Sequence, residues 1–175
     1  MRDLQMYAKE CVSDLNAIGI EVPYIKEFKV NTRAKSRFGQ CRKIAKNVYE
    51  IEICNDLLAD DCPIEALRET LFHELIHTLP NCMNHKTEFK RYANIVNNAY
   101  GVNITRCSTS EEKYGVEYAK KLEENRPTKL LTRYQLRCVN CGRIVAEREG
   151  YRAPKWYAHP NRFSCGHCHG KVVRV

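Results

Sequence analysis

The sequence predicts an α+β protein, with a mixed helix-and-strand domain followed by a small β module. Three observations carry this prediction. Apolar residues recur at helical spacing in 2–19 and 63–79. Three short stretches between residues 24 and 53 alternate apolar with polar residues. After residue 128, short β-prone runs surround two pairs of cysteines.

Each element has a local reason. Leu4, Tyr7, Ala8, Cys11, Val12, Leu15 and Ile18 form one apolar stripe, and Gly19 is a natural stop, so 2–19 reads as a helix. "YIKEFKVNTR" (24–33), "RFGQCRKI" (37–44) and "NVYEIEI" (47–53) read as strands, with Gly39 as a kink or turn in the second. Pro63 opens a helix at its first turn, where its missing N–H does no harm. That helix runs to about Leu79, because Pro80 disfavours helix at the residue before it. The loop "PNCMN" then leads to His85, and "KTEFKRYANIVNNAY" (86–100) forms a helix that stops at Gly101. The predicted organisation is a domain over 1–106, a connector over 107–127 with a short helix closed by Pro127, and a module over 128–175 with strands "YQLRC", "RIVAER" and "KVVRV".

The chain has 175 residues, 43% hydrophobic and 29% charged, as in ordinary globular proteins. No apolar run approaches the roughly 20 residues that span a bilayer. The start, "MRDLQMYAKECVSDL", has no apolar signal-peptide core. The expectation is a cytoplasmic monomer with no membrane partner, associated with the nucleoid if the cell is bacterial. Ten cysteines fit a reducing compartment as thiols or metal ligands. Cys11, Cys41, Cys54, Cys62, Cys82 and Cys107 are scattered and read as small buried hydrophobes.

The net charge of +8 is unevenly placed. Residues 126–175 hold 11 Lys and Arg against 2 acids, whereas 1–125 hold 18 against 19. Within the first part, residues 26–46 carry 8 basic residues and one acid. Two basic patches on a near-neutral body point to a polyanionic partner.

The segment "HELIH" (73–77) carries the chemistry. His73 and His77 are four apart, so on a helix both imidazoles reach one metal ion. Glu74 lies about 100° round the helix, where it can act as a base without being a ligand. This is the H-E-x-x-H logic of zinc peptidases, and it makes the predicted domain zincin-like. Leu67, Leu71, Phe72, Leu75, Ile76 and Leu79 make the helix apolar on most sides, so the two His and the Glu are buried and need a partner such as a metal ion. His85 is the expected third ligand, with Glu88 as the rival, and Cys82 is read as a loop residue.

Cys138, Cys141, Cys165 and Cys168 form two C-x-x-C knuckles 23 residues apart, the signature of a structural zinc ribbon. The expected cofactors are thus two zinc ions, one catalytic and one structural. Around the knuckles, Tyr134, Tyr151, Trp156, Tyr157 and Phe163 are interleaved with Arg and Lys, a pattern used to bind single-stranded nucleic acid. The candidate contacts are Arg33, Lys35 and Arg37 in the first basic patch, and Arg143, Arg152, Lys155, Trp156 and Arg162 in the second, with Trp156 expected to be exposed.

The helix, the basic β-region, "HELIH", the third His in "NHKTEF" and the basic zinc segment together resemble the SprT-like (Spartan-related) zinc metalloprotease family. The resemblance implies zinc ligands at His73, His77 and His85 and a general base at Glu74. It also implies a DNA-binding zinc subdomain, with DNA, single-stranded or partly unpaired, as partner. The implied substrates are DNA-bound proteins, as in DNA–protein crosslink repair. The alternative is a nucleic-acid-binding or transcription-associated zinc protein whose peptidase site is idle. The intact Glu74 argues against it.

Overall fold

The computed structural model describes residues 1–34, 37–106, 108–125 and 130–175. Lys35, Cys107 and Pro127 lie outside the described residues. The chain divides into two compact units, Met1–Asn125 and Arg126–Val175.

In the first unit, helix α1 (Leu4–Ala17) is capped by Asp3, whose carboxylate accepts the N–H groups of Gln5 and Met6. Its apolar stripe, Leu4, Ala8, Cys11 and Leu15, enters the core. Strands β1 (Tyr24–Asn31), β2 (Gly39–Ala45) and β3 (Val48–Cys54) form a sheet in the order β1-β3-β2. The third strand is central, parallel to β1 and antiparallel to β2. Asn47, at φ 57°, turns the chain between β2 and β3, a conformation Asn tolerates better than most residues.

The period-two pattern of β3 sorts its residues between two environments. Tyr49, Ile51 and Ile53 are buried. Glu50 and Glu52 lie on the other face, where Lys26 and Lys29 reach Glu50, and Arg37 and Arg42 reach Glu52. Four of the eight basic residues in 26–46 thus meet carboxylates of β3, and the folded surface is less basic there than the chain segment.

Helix α2 (Ile64–Ile76) runs through the core and buries Ala66, Leu67, Leu71, Phe72, Leu75 and Ile76. It ends three residues before Leu79. The N–H groups of Thr78 and Leu79 bond the carbonyls of Leu75 and Ile76, three residues back. This tighter winding, followed by Pro80 and by Asn81 at φ 61°, turns the chain sharply. Helix α3 (Thr87–Tyr100) buries Phe89, Ala93 and Val96 and is closed by Gly101 at φ 63°.

The segment expected as a connector is instead part of the first unit. It forms α4 (Ser110–Tyr114), with a capping box between Thr109 and Glu112, and α5 (Val116–Glu124). Tyr114 is buried, Lys113 pairs with Glu69, Lys121 with Asp61, and the Tyr118 hydroxyl donates to the Asp56 carbonyl. Its polar composition concealed these few anchoring contacts.

The second unit holds β4 (Thr132–Cys138), β5 (Ile144–Gly150), the short helix α6 (Lys155–Ala158) and β6 (Val172–Arg174). The strands form an antiparallel sheet in the order β5-β4-β6. Its buried apolar set among the described residues is small, centred on Leu136 and Val172. So small a core needs a staple.

Candidate metal and catalytic site

Helix α2 places His73 and His77 on one face, and the chain after Pro80 brings His85 to meet them. His73 Nε2 lies 3.2 Å from His77 Nε2 and 3.0 Å from His85 Nε2. Three ligand atoms within 4.8 Å of one another form a set able to hold a metal ion. Nitrogens bonded to one tetrahedral zinc at about 2.0–2.1 Å stand roughly 3.3 Å apart, so this spacing fits zinc.

The supporting contacts fit as well. The Nδ1–H of His77 donates to the Cys82 carbonyl at 2.6 Å, which fixes the tautomer and leaves Nε2 to bind metal. The His73 ring is held by a hydrogen bond to the Thr105 backbone. Burial, then the neighbouring imidazoles, push His73 down to about 3, and burial also lowers His77 and His85. The rings are therefore neutral near pH 7, the form a metal requires. Phe89 packs against all three, its ring centre 4.9 Å from His73 and 4.7 Å from both His77 and His85.

The rival ligand Glu88 is turned away. Its carboxylate accepts from Arg91 at 3.0 Å on the surface of α3. Cys82 is wholly buried, its thiol donating to the Pro80 carbonyl, and it serves the site through its backbone.

Glu74 is 6% exposed. Burial raises its carboxyl to about 7, against the pull of the Cys41 backbone N–H, Arg37 and Lys113. Gly39 opens β2 directly over this side chain. A Cβ there would fall 2.7 Å from Glu74 Cγ and Oε1, so only glycine lets the strand approach so closely. Gly39 is thus a strand residue selected by close approach rather than a kink. Cys41, two residues on, is only half-buried, whereas Cys11, Cys54, Cys62 and Cys82 are buried thiols as expected.

A cavity of about 270 Å³ opens beside His73 and Glu74, lined also by Arg37, Phe38, Gly39, Thr70, Thr105, Arg106, Ser108 and Lys113. Sequence reasoning missed Gly39, Phe89, Lys113 and Arg106. Only Gly39, a glycine inside a strand pattern, carried a usable signal.

In the second unit the four expected cysteines converge. Cys138 Sγ lies 3.4 Å from Cys168 Sγ, and Cys141 Sγ 3.6 Å from Cys165 Sγ. Disulfide sulfurs would be about 2.05 Å apart. Sulfurs around one zinc, bonded at about 2.3 Å, stand roughly 3.8 Å apart, so the quartet fits zinc. Backbone N–H groups face the sulfurs. Those of Cys168 and His167 lower the Cys165 thiol to about 6, and that of Cys141 lowers Cys138. Both knuckles turn through a left-handed residue in the same place, Gly142 at φ 73° and His169 at φ 56°. Gly170 has a different task, since a Cβ there would fall 2.9 Å from Cys138 Sγ.

The candidate nucleic-acid contacts fall in both units. Arg33 and Arg37 lie in the first unit, exposed, with Arg37 near Glu52. In the second unit Arg143, Arg152, Lys155 and Arg162 are exposed. Trp156 is half-buried against Tyr157, and the exposed aromatics are Tyr151 and Phe163. Lys155, Trp156, Arg162 and Phe163 share a groove of about 470 Å³ with Ala158 and His159. No helix among the described residues is long and apolar enough to cross a membrane.

The model of the SprT-like family matches residues 8–108, which include all three histidines and Glu74. No curated protein matches the chain.

Proposed function

We infer that the chain, which belongs to the SprT-like family, is a zinc-dependent peptidase that hydrolyses DNA-associated proteins, with DNA–protein crosslink repair as the role. The family suggests a zinc metalloprotease-like domain, and both candidate ligand sets fit zinc. The observation that carries the reading is the convergence of three imidazoles beside one buried glutamate. His73, His77 and His85 would hold the catalytic ion, and the four cysteines a structural one.

Zinc bound there would supply a Lewis acid that acidifies water and polarises a peptide carbonyl. Glu74 then takes the proton of the attacking water and returns it to the leaving amine. Burial suits it to both steps, because it raises the carboxyl above the usual carboxylate range and so strengthens it as a base. Gly39 and the Cys41 N–H hold the carboxylate in place.

DNA binding is supported by the charge of residues 126–175 and by the groove formed by Trp156, Phe163, Lys155 and Arg162. Its apolar floor suits a nucleobase and its cations suit phosphates. The deciding experiment is cleavage of a DNA-binding protein with and without single-stranded DNA, by the wild type and by Glu74→Gln. DNA-stimulated cleavage that Glu74→Gln abolishes while keeping its zinc is expected. Cleavage by Glu74→Gln would remove the assigned base, and a zinc-loaded wild type that never cleaves would favour a binding protein with an idle site.

A further inference from the structure

The cavity beside Glu74 is lined by more cations than carboxylates. Arg37, Arg106 and Lys113 line it, and Glu74 is its one carboxylate. Lys113 is a fixed feature, since its side chain is 7% exposed and its Nζ lies 2.9 Å from Glu69 Oε2. The other Glu69 oxygen accepts the N–H of Asn103, so the pair is anchored to the chain after α3. Glu69 is not part of the lining, and holds Lys113 from behind. Arg106 is exposed and forms no ion pair among the described residues. Arg37 reaches its nearest carboxylate, Glu52, only at 3.6 Å. Phe38 adds an apolar wall.

A cavity with this lining favours an anion with a short apolar stem, and it adjoins the residues proposed to attack the peptide bond. We propose that it is a specificity pocket receiving the carboxylate of an Asp or Glu side chain that flanks the scissile bond. Arg106 and Lys113 are its specificity-determining residues. The assignment rests on the peptidase reading for the direction of the substrate, and on the cavity itself for the carboxylate. Arg106 can meet both oxygens of a carboxylate, and Lys113 supplies a point charge held at low exposure. A Lys or Arg side chain would be repelled, and Gln would forgo the charge-assisted bonds.

The test is binding, so that it does not depend on turnover. Peptides carrying a reduced, non-hydrolysable bond, with Glu or isosteric Gln on either side of it, are titrated into the zinc-loaded full chain by calorimetry. The Glu peptide is expected to bind about tenfold tighter than the Gln peptide. Arg106→Gln, at an exposed position, should bring the ratio close to one and leave the affinity for the Gln peptide within about twofold. Lys113→Arg should retain the preference and Lys113→Met should reduce it. Equal affinities in the wild type, or a ratio unchanged in Arg106→Gln, would overturn the proposal. So would a preference seen only with a free rather than amidated C-terminus, which assigns the pocket to a chain end. Displacement of the Glu peptide by single-stranded oligonucleotide, lost in Arg106→Gln, would assign it to phosphate. Failure of the wild type to cut ordinary peptides would count against the peptidase reading alone, leaving a Glu-over-Gln preference intact.

Discussion

The backbone of Gly39 lies directly against the carboxylate of Glu74. A methyl group at position 39 would stand 2.7 Å from Glu74 Oε1. The first residue of an edge strand therefore holds a side chain of a helix that begins 25 residues later in the chain.

Gly39→Ala should consequently displace Glu74 without touching the imidazoles. A shift of about 1 Å in a catalytic group can lower turnover by roughly 10²-fold. We expect a loss of that order in peptide cleavage with zinc content unchanged. Equal activity in the variant would show that the carboxylate does not need this placement.

The two candidates for third ligand separate cleanly by substitution. His85→Ala should lose the ion held by the histidines and keep the one held by the cysteines. Glu88→Ala should keep both, because Glu88 faces Arg91. Metal analysis of the purified variants decides between them, and loss of zinc in Glu88→Ala would contradict the geometry.

Phe89 joins the core to the candidate metal site, because its buried ring contacts all three imidazoles. Phe89→Ala should destabilise the first unit by about 3–5 kcal/mol, as a buried aromatic truncation does. It should also weaken zinc retention. Denaturant unfolding checks the first effect, and competition with a chelator the second. A variant that loses stability yet holds zinc as tightly would make Phe89 a core residue only.

The second unit has little core beyond Leu136 and Val172 among the described residues, so its fold should depend on a zinc ion at the four cysteines. Chelation should collapse the amide NMR dispersion of residues 130–175. Gly170→Ala should lower metal affinity at the cysteines, since its Cβ would press on Cys138 Sγ. Persistent dispersion after complete zinc removal would show that the strands stand without it.

Much of this protein was legible in its sequence because the relevant physics is local. His73 and His77 share a face because helical geometry puts residues four apart together, and two C-x-x-C pairs place sulfurs by turn geometry alone. The alternation of β3 separated Tyr49, Ile51 and Ile53 from Glu50 and Glu52, and the first three are buried. What remained hidden depends on contacts between distant segments. Sequence showed three strands, and tertiary packing put the last of them in the centre. The polar run after residue 107 looked like a connector, yet Lys113 and Tyr118 fasten it to residues 44 and 62 positions earlier, and Tyr114 is buried against Phe38. Trp156 was expected at the surface and is half-buried beside Tyr157. The candidate ligands His73 and His77 and the four cysteines were set by side-chain type and spacing. The turning away of Glu88, the clamp of Gly39 on Glu74 and the cations around the cavity depend on how segments distant in the chain pack together, which spacing alone does not encode.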